Sequence, residues 1–100
     1  MNLIEQHNET IKQLCIKHKV KKLRVFGSLL TDNFAGTSDV DLVAEFDDSD
    51  LDDYAENYFE FKFSLENILK TSVDLLEDKA IKNPYLRQAI DSTARLLYGR

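Results

Sequence analysis

Two short stretches decide the fold of this chain: Val-Phe-Gly-Ser at residues 25–28 and, after ten intervening residues, Asp-Val-Asp-Leu at residues 39–42. The segment 23–26 has the apolar character of a short β-strand that ends at a glycine. Residues 40–46 alternate between apolar and polar side chains, which predicts a second strand. We therefore expect the functional site of the chain to lie where these two strands meet.

The first candidate feature is the pair Gly27 and Ser28, which follows the first strand and precedes a segment that can start a helix. Such a junction presents free backbone N–H groups to an anion, and glycine permits a close approach of the backbone. Ser28 adds a hydroxyl donor. Gly-Ser pairs also occur in ordinary turns, so the pair alone does not establish a phosphate site.

The second feature is the pair of carboxylates Asp39 and Asp41 at the start of the second strand. Residues two apart in a strand point to the same face, so both carboxylates would project side by side. Carboxylate oxygens are preferred ligands of hard divalent cations such as Mg²⁺. The alternative is a solvated strand end, since surface carboxylates are common.

The third feature is Asp74, within the apolar run Val-Asp-Leu-Leu at residues 73–76. A carboxylate in a buried strand is costly unless it is paired or binds a metal. An exposed edge strand would explain Asp74 equally well. If the three features converge, they supply the carboxylates and the phosphate-binding turn that a two-metal site for nucleotidyl transfer requires.

The remaining patterns predict a single domain over residues 1–100, of the size expected for one hydrophobic core. Amphipathic helices are predicted over 3–18 and about 51–70, and a third helix begins at Pro84. The segment 94–98 either extends that helix or forms a last strand. The order of elements predicts an α/β (α+β) domain: a small mixed β-sheet flanked by helices.

Composition limits the function. The formal net charge of −5 makes direct binding of a nucleic-acid backbone unexpected, because such binding depends on Lys and Arg. One cysteine, Cys15, allows no intrachain disulfide and is expected to be buried. The sequence lacks a signal peptide and an apolar run of membrane-spanning length, so a cytoplasmic protein without membrane contact is expected.

The spaced Gly27-Ser28 and Asp39-Val40-Asp41 motif resembles the signature of the DNA polymerase β-type nucleotidyltransferases, and Asp74 matches their third carboxylate. The short length and the sequence context of these motifs resemble the minimal nucleotidyltransferase (MNT) group, over nearly the whole chain. The resemblance implies the nucleotidyltransferase fold. It also implies an antitoxin whose partner is a HEPN-domain ribonuclease toxin.

In that family the antitoxin can neutralise its partner by adenylylation, in which AMP passes from ATP to a tyrosine hydroxyl with release of pyrophosphate, and tight complex formation is also a feature of the family. The resemblance implies that Gly27 and Ser28 contact the β- and γ-phosphates and that Asp39 and Asp41 bind Mg²⁺. Asp74 would complete the second metal site of a two-metal centre and help to deprotonate the hydroxyl. These three aspartates are the predicted catalytic and metal-binding residues.

One departure from the family pattern leaves an alternative open. Many relatives carry basic residues just after the Gly-Ser pair, whereas this chain has Leu-Leu-Thr-Asp at residues 29–32. The nearest cation before the motif is Arg24, and the nearest after it are Lys62 and Lys70 on the predicted long helix. The alternative function is therefore a catalytically weak antitoxin that neutralises its HEPN partner by forming a complex. A small-molecule nucleotidyltransferase is less expected, since such enzymes usually need a second domain for the acceptor.

Overall fold

The structure, a computed structural model, describes residues 3–26, 40–47 and 54–99. These ranges contain short α-helices at both ends of the chain, one long central helix and four strands. The α-helices are α1 (Leu3–Gln6), α2 (Asn8–Lys17), α3 (Tyr54–Leu69) and α4 (Pro84–Thr93). The strands are β1 (Val20–Phe26), β2 (Val40–Phe46), β3 (Val73–Glu77) and β4 (Arg95–Tyr98), and a 3-10 helix spans Asp78–Ala80.

The four strands form one sheet in the order β3-β2-β1-β4. β1 pairs with β2 and with β4 in antiparallel fashion, whereas β2 and β3 are parallel. A parallel pair requires a crossover connection, and α3 lies between β2 and β3 in the sequence. The predicted small mixed sheet flanked by helices is thereby confirmed.

The main hydrophobic core lies between one face of the sheet and helices α2 and α3. The alternation predicted for β2 holds, because Val40, Leu42, Ala44 and Phe46 are all buried in this core. They pack with buried side chains of α2, β1, α3 and β3, among them Ile11, Cys15, Leu23, Phe61, Leu65 and Leu75. Burial of this apolar surface is the main stabilising term for so small a domain.

The second face of the sheet is also covered. Val43 points away from the main core yet is 2% exposed, and Ile90 of α4 is fully buried. Asp91 of α4 accepts a hydrogen bond from Arg24, which pairs with Val43 across β1 and β2. Helix α4 therefore covers the part of this face that surrounds Arg24.

The prediction of one helix over residues 3–18 was wrong at His7. The backbone there leaves the helical region (φ −114°, ψ 17°), and the His7 N–H donates to the Ile4 carbonyl, three residues back. A new helix begins at Asn8. His and Asn are weak helix formers, so little intrinsic preference opposes the break.

Two further boundaries differ from the expected ones. β1 begins at Val20, three residues before the predicted start, because Lys19 adopts a left-handed conformation (φ 61°) that ends the preceding helical segment. The open question about residues 94–98 is answered by β4. Gly99 follows it with φ 94°, and a Cβ atom there would lie 2.3 Å from the Lys21 carbonyl oxygen.

Candidate active site

Two of the three predicted aspartates are neighbours across the sheet. Asp41 of β2 pairs in register with Asp74 of β3 in the parallel part of the sheet. Adjacent strands lie about 4.8 Å apart, and paired residues project from the same face. The pairing of β2 with β3 therefore brings together two carboxylates that are 33 residues apart in the chain.

One hydrogen bond joins the starts of these two strands, and two more attach β3 to helix α3. The Val40 N–H donates to the Ser72 carbonyl over 2.9 Å at the start of β2. The Val73 N–H donates to Glu66 Oε2 of α3, also over 2.9 Å. The Tyr58 hydroxyl donates to the Leu75 carbonyl, the residue after Asp74. Helix α3 thus fixes both the start and the middle of β3.

The end of β1 reaches the same place. Phe26, the last residue of β1, pairs with Asp41. Gly27 is joined to Phe26, and Asp39 to Val40, by a single peptide bond. Gly27, Ser28 and Asp39 themselves lie outside the described residues, so the structure does not position these three predicted site residues.

The two aspartates differ in exposure. Asp74 is exposed at the sheet edge, whereas Asp41 is half-buried. The pKa of Tyr58 is raised above its ordinary value. Burial of the hydroxyl is the main cause, and the negative charges of Asp74 and Glu77 raise the pKa further. Tyr58 therefore stays protonated at neutral pH and keeps its hydrogen bond to the Leu75 carbonyl.

The donor chemistry of this pair suits a hard cation, because carboxylate oxygens are the preferred ligands of Mg²⁺. In residues 3–26, 40–47 and 54–99, no group of three or more His, Cys, Asp or Glu side chains is arranged to hold a metal ion. Of the three predicted metal-binding aspartates, Asp41 and Asp74 lie within these ranges and Asp39 lies outside them.

Arg24, the cation nearest to the Gly-Ser pair on its N-terminal side, is engaged in an ion-pair network. Its Nη2 lies 3.1 Å from Asp78 Oδ1, and its Nη1 lies 3.2 Å from Asp91 Oδ1. Arg87 joins the same network, 2.8 Å from Asp78 Oδ1 and hydrogen-bonded to the Asp78 carbonyl. This cluster ties β1, the 3-10 helix after β3, and α4 together.

Sequence reasoning missed this network. The spacing of Arg87 and Asp91, four residues apart on a predicted helix, indicates a local ion pair. Nothing in the sequence indicates that Asp78 and Arg24 join them, because those contacts depend on the sheet order. Hydrogen bonds to Asp78 thus fix the position of the Arg87 side chain. No position was predicted for Tyr85, which is 82% exposed.

The remaining predictions concern Cys15 and the membrane. Cys15 is fully buried, as predicted, and burial raises the pKa of its thiol to about 12. Such a thiol is a poor nucleophile. In the part of the chain that the structure describes, no helix has both the length and the apolar content of a membrane span.

Comparison with known proteins assigns the family. The family model described as polymerase beta, nucleotidyltransferase, matches residues 9–100. This chain belongs to the polymerase beta nucleotidyltransferase family. The paired aspartates on β2 and β3 are therefore found in a nucleotidyltransferase, which confirms the family and the enzyme class predicted from the sequence.

Individual relatives are described more specifically than the family as a whole. Two candidate protein adenylyltransferases of Methanocaldococcus jannaschii are 35% and 33% identical to this nucleotidyltransferase. The alignments cover 89% and 90% of this chain and 85% and 86% of the relatives. The nucleotidyltransferase is thus similar, over most of its length, to proteins to which adenylyl transfer is ascribed.

Solved structures confirm the fold. A candidate minimal nucleotidyltransferase has a TM-score of 0.78 and 27% identity, with 95% of each chain covered. A chain of a toxin–antitoxin complex with AMP-PNP has a TM-score of 0.72 at 23% identity, covering 93% of this nucleotidyltransferase and 73% of that chain. A chain of the complex between a tri-AMPylated Shewanella oneidensis HEPN toxin and its MNT antitoxin has a TM-score of 0.67 at 21% identity, covering 96% and 72%.

Proposed function

We propose that this nucleotidyltransferase is an antitoxin that transfers AMP from ATP to a tyrosine hydroxyl of a partner HEPN toxin, with Mg²⁺ as cofactor. The observation that carries the proposal is the register pair Asp41 and Asp74, which lies beside the end of β1 that leads into Gly27 and Ser28. Carboxylates on adjacent strands and a neighbouring Gly-Ser turn are the parts that nucleotidyl transfer needs.

The roles of the residues follow from their chemistry. Gly27 and Ser28 would hold the β- and γ-phosphates through backbone N–H groups and the Ser28 hydroxyl. Asp41, with Asp39 two residues before it, would face the triphosphate. Asp74 would face the acceptor, since it is the exposed member of the pair at the edge of the sheet.

Asp39, Asp41 and Asp74 would hold Mg²⁺, most simply as a two-metal centre. When bound, the ions stabilise the charge that develops on the attacking and leaving oxygens. The register pair fits this cofactor because two adjacent carboxylates supply hard oxygen ligands, which Mg²⁺ prefers. Mg²⁺ would also bring positive charge to a chain whose formal net charge is −5.

The transfer step involves one bond formed and one bond broken. The tyrosine oxygen attacks the α-phosphorus of ATP in line, and the bond from that phosphorus to the pyrophosphate oxygen breaks. A carboxylate oxygen of Asp74 accepts the hydroxyl proton. A base in this position typically contributes about 10²- to 10⁴-fold to the rate.

A second candidate function is an antitoxin that inhibits its HEPN partner by forming a complex, with little catalysis. It is favoured by the lack of basic residues at positions 29–32 and by the engagement of Arg24 with Asp78 and Asp91. Under this function the triphosphate would be held weakly.

Intact mass spectrometry separates these two functions. The cognate HEPN-domain protein is incubated with this chain, ATP and Mg²⁺, and its mass is measured. We expect a gain in whole AMP units that disappears with Asp41→Asn and when Mg²⁺ is chelated. An unmodified but inhibited partner in a stable complex would overturn the catalytic function in favour of the second one.

A further inference from the structure

An aromatic pair on α3 is exposed to solvent. Phe59 is 47% exposed and Phe63 is 56% exposed, although both are large apolar side chains. They are four residues apart, and their rings stack at a centroid distance of 6.0 Å with an interplanar angle of 24°. Helix α3 already buries Phe61, Leu65 and Leu69 in the core, so this pair is not needed there. Adjacent exposed aromatic side chains are typical of interaction surfaces.

This pair is linked by direct contacts to β3, the strand that carries Asp74. The Phe59 ring contacts the Tyr58 ring edge-on, with centroids 5.1 Å apart. The Tyr58 hydroxyl donates to the Leu75 carbonyl, and Leu75 follows Asp74 in β3. A chain of direct contacts therefore runs from Phe63 to β3. Asp74 projects from the opposite face of this strand, but β3 lies at the edge of the described sheet, so a protein seated on the pair would lie next to that edge.

The charge around the pair is mainly negative, although Lys62, which is half-buried and three residues after Phe59, adds one cation. Glu56 and Glu60 are exposed, and each lies three residues before one of the two phenylalanines, so they are neighbours on the helix surface. Asp74 is exposed at the adjacent sheet edge. The chain as a whole carries a formal charge of −5. This surface therefore attracts a partner that combines apolar side chains with Arg or Lys.

We propose that Phe59, Phe63, Glu56 and Glu60, which we call the α3 docking surface, bind the protein acceptor of the transfer reaction. The acceptor contacts the two rings with an apolar segment flanked by basic residues, and its reactive hydroxyl reaches Asp74 around the exposed edge of β3. This inference rests on the proposed function and adds the surface that selects the substrate.

The charges argue against two other occupants. In a symmetric dimer the same patch meets itself, so Glu56 and Glu60 of one copy would approach those of the other. Like charges that face each other in an interface are unfavourable. A nucleic acid would bring phosphates against the same carboxylates, which is unfavourable for the same reason.

The test uses the double variant Phe59→Ser/Phe63→Ser with the cognate HEPN-domain protein. The matched control is Ile16→Ser, which removes an even more exposed apolar side chain from α2 (65% exposed). Circular dichroism verifies that each variant is folded. We expect the Kd of the complex, measured by calorimetry, to rise at least tenfold for the double variant and to stay within twofold for the control. The affinity for ATP with Mg²⁺ should not change in either variant.

A second variant tests the charges. Glu56→Lys/Glu60→Lys should weaken the complex and reduce its dependence on salt concentration, since the attraction to basic residues is lost. An unchanged Kd in both double variants would overturn the docking surface. So would a dimer of this chain that the phenylalanine variant disrupts while its binding to the acceptor stays intact.

The two proposals fail in different ways. If the wild-type chain binds the acceptor without transferring AMP, and the phenylalanine variant weakens that complex, the docking surface stands and the catalytic function falls. If AMP is transferred with the same KM for the acceptor in wild-type and variant chains, the catalytic function stands and the docking surface falls.

Discussion

Asp41 and Asp74 occupy equivalent positions in parallel strands: each is the second residue of its strand, and the two are paired in register. This arrangement places two carboxylates at one end of the sheet, where β1 also ends. The strands that carry them are fixed by core residues on either side, Val40 and Leu42 in β2 and Val73 and Leu75 in β3. Hydrophobic packing thus sets the position of the two acidic groups.

The first prediction concerns these two residues. Asp41→Asn and Asp74→Asn should each lower AMP transfer at least about 10²-fold, the loss that follows removal of one group that stabilises transition-state charge. Asp74 is exposed, Asp41 is half-buried, and Asn has nearly the same shape as Asp, so the fold should persist. Steady-state transfer assays and circular dichroism measure the two effects.

Thermal melts give an independent control, because a ligand that binds the native state raises its melting temperature. Mg²⁺ should raise the Tm of the wild-type chain more than that of either Asn variant. Equal shifts in all three chains would remove Asp41 and Asp74 from the metal site.

The second prediction concerns the phosphate-binding turn. Gly27→Ala should hinder the close approach of the backbone to the phosphates. The Kd for ATP with Mg²⁺ should therefore rise about tenfold or more, the equivalent of one lost hydrogen bond to a charged group. Ser28→Ala removes only a hydroxyl donor and should have a smaller effect. Equilibrium binding of a fluorescent ATP analogue measures both, and an unchanged Kd for Gly27→Ala would contradict the proposed role of the turn.

The third prediction concerns the ion-pair network. Asp78→Ala should lower the free energy of unfolding by about 1–2 kcal/mol, because Asp78 accepts charge-assisted hydrogen bonds from both Arg24 and Arg87. The control is Glu9→Gln, whose 4.0 Å pair with Lys12 is exposed and should contribute less than about 0.5 kcal/mol. Urea denaturation compares the two variants. Equal losses would show that the network adds nothing beyond surface pairing.

The fourth prediction concerns the backbone at two positions with positive φ. Gly99→Ala should destabilise the fold by about 1–3 kcal/mol, since its Cβ would collide with the Lys21 carbonyl. Lys70 has φ 59° just after α3, so Lys70→Gly should stabilise the fold by up to about 1 kcal/mol. Chemical denaturation of both variants should give changes of opposite sign, and a change of the same sign would refute the assignment of strain.

The fifth prediction concerns alkaline pH. Burial raises the pKa of the Cys15 thiol from 9.0 to about 12, so the unfolded chain loses this proton at lower pH than the native chain does. The native state therefore binds more protons between these values, and its stability falls as pH rises through them. The fall amounts to about 1.4 kcal/mol per pH unit for one group.

The control for this effect is Cys15→Ala. The alanine variant is less stable at neutral pH because of the lost packing, but the difference from the wild-type chain should shrink between pH 9 and pH 11. Tyr54 and Tyr58 also have raised pKa values but are present in both chains. Parallel curves of stability against pH would exclude a contribution from the thiol.

Local patterns predicted most of the fold. The alternation in residues 40–46 identified β2 and its buried face, and the Asn83-Pro84 pair identified the start of α4, where Asn83 Oδ1 accepts from the Tyr85 and Leu86 N–H groups. Both signals depend on side chains a few residues apart, which a sequence displays directly. The break at His7 was missed because an amphipathic pattern continues across it.

Long-range relationships were harder to predict. Asp74 was expected near Asp41 only through family resemblance, since an Asp in an apolar run fits an edge strand equally well. The structure reconciles the two interpretations, because β3 is an edge strand of the described sheet and Asp74 is both exposed and paired with Asp41. The connection of Arg24 to Asp78 and Asp91 depends on the order β3-β2-β1-β4, which no local pattern contains.

That strand order also has a consequence for synthesis on the ribosome. β1 is made early but receives β4, its second neighbour, only after residues 95–98 have been translated. At about 5–20 residues per second, one edge of β1 stays open for roughly 3 to 14 seconds. Lys21, Lys22 and Arg24 lie in this strand. Charged side chains of this kind hinder pairing between nascent chains, so β1 carries its own protection against aggregation until its last partner arrives.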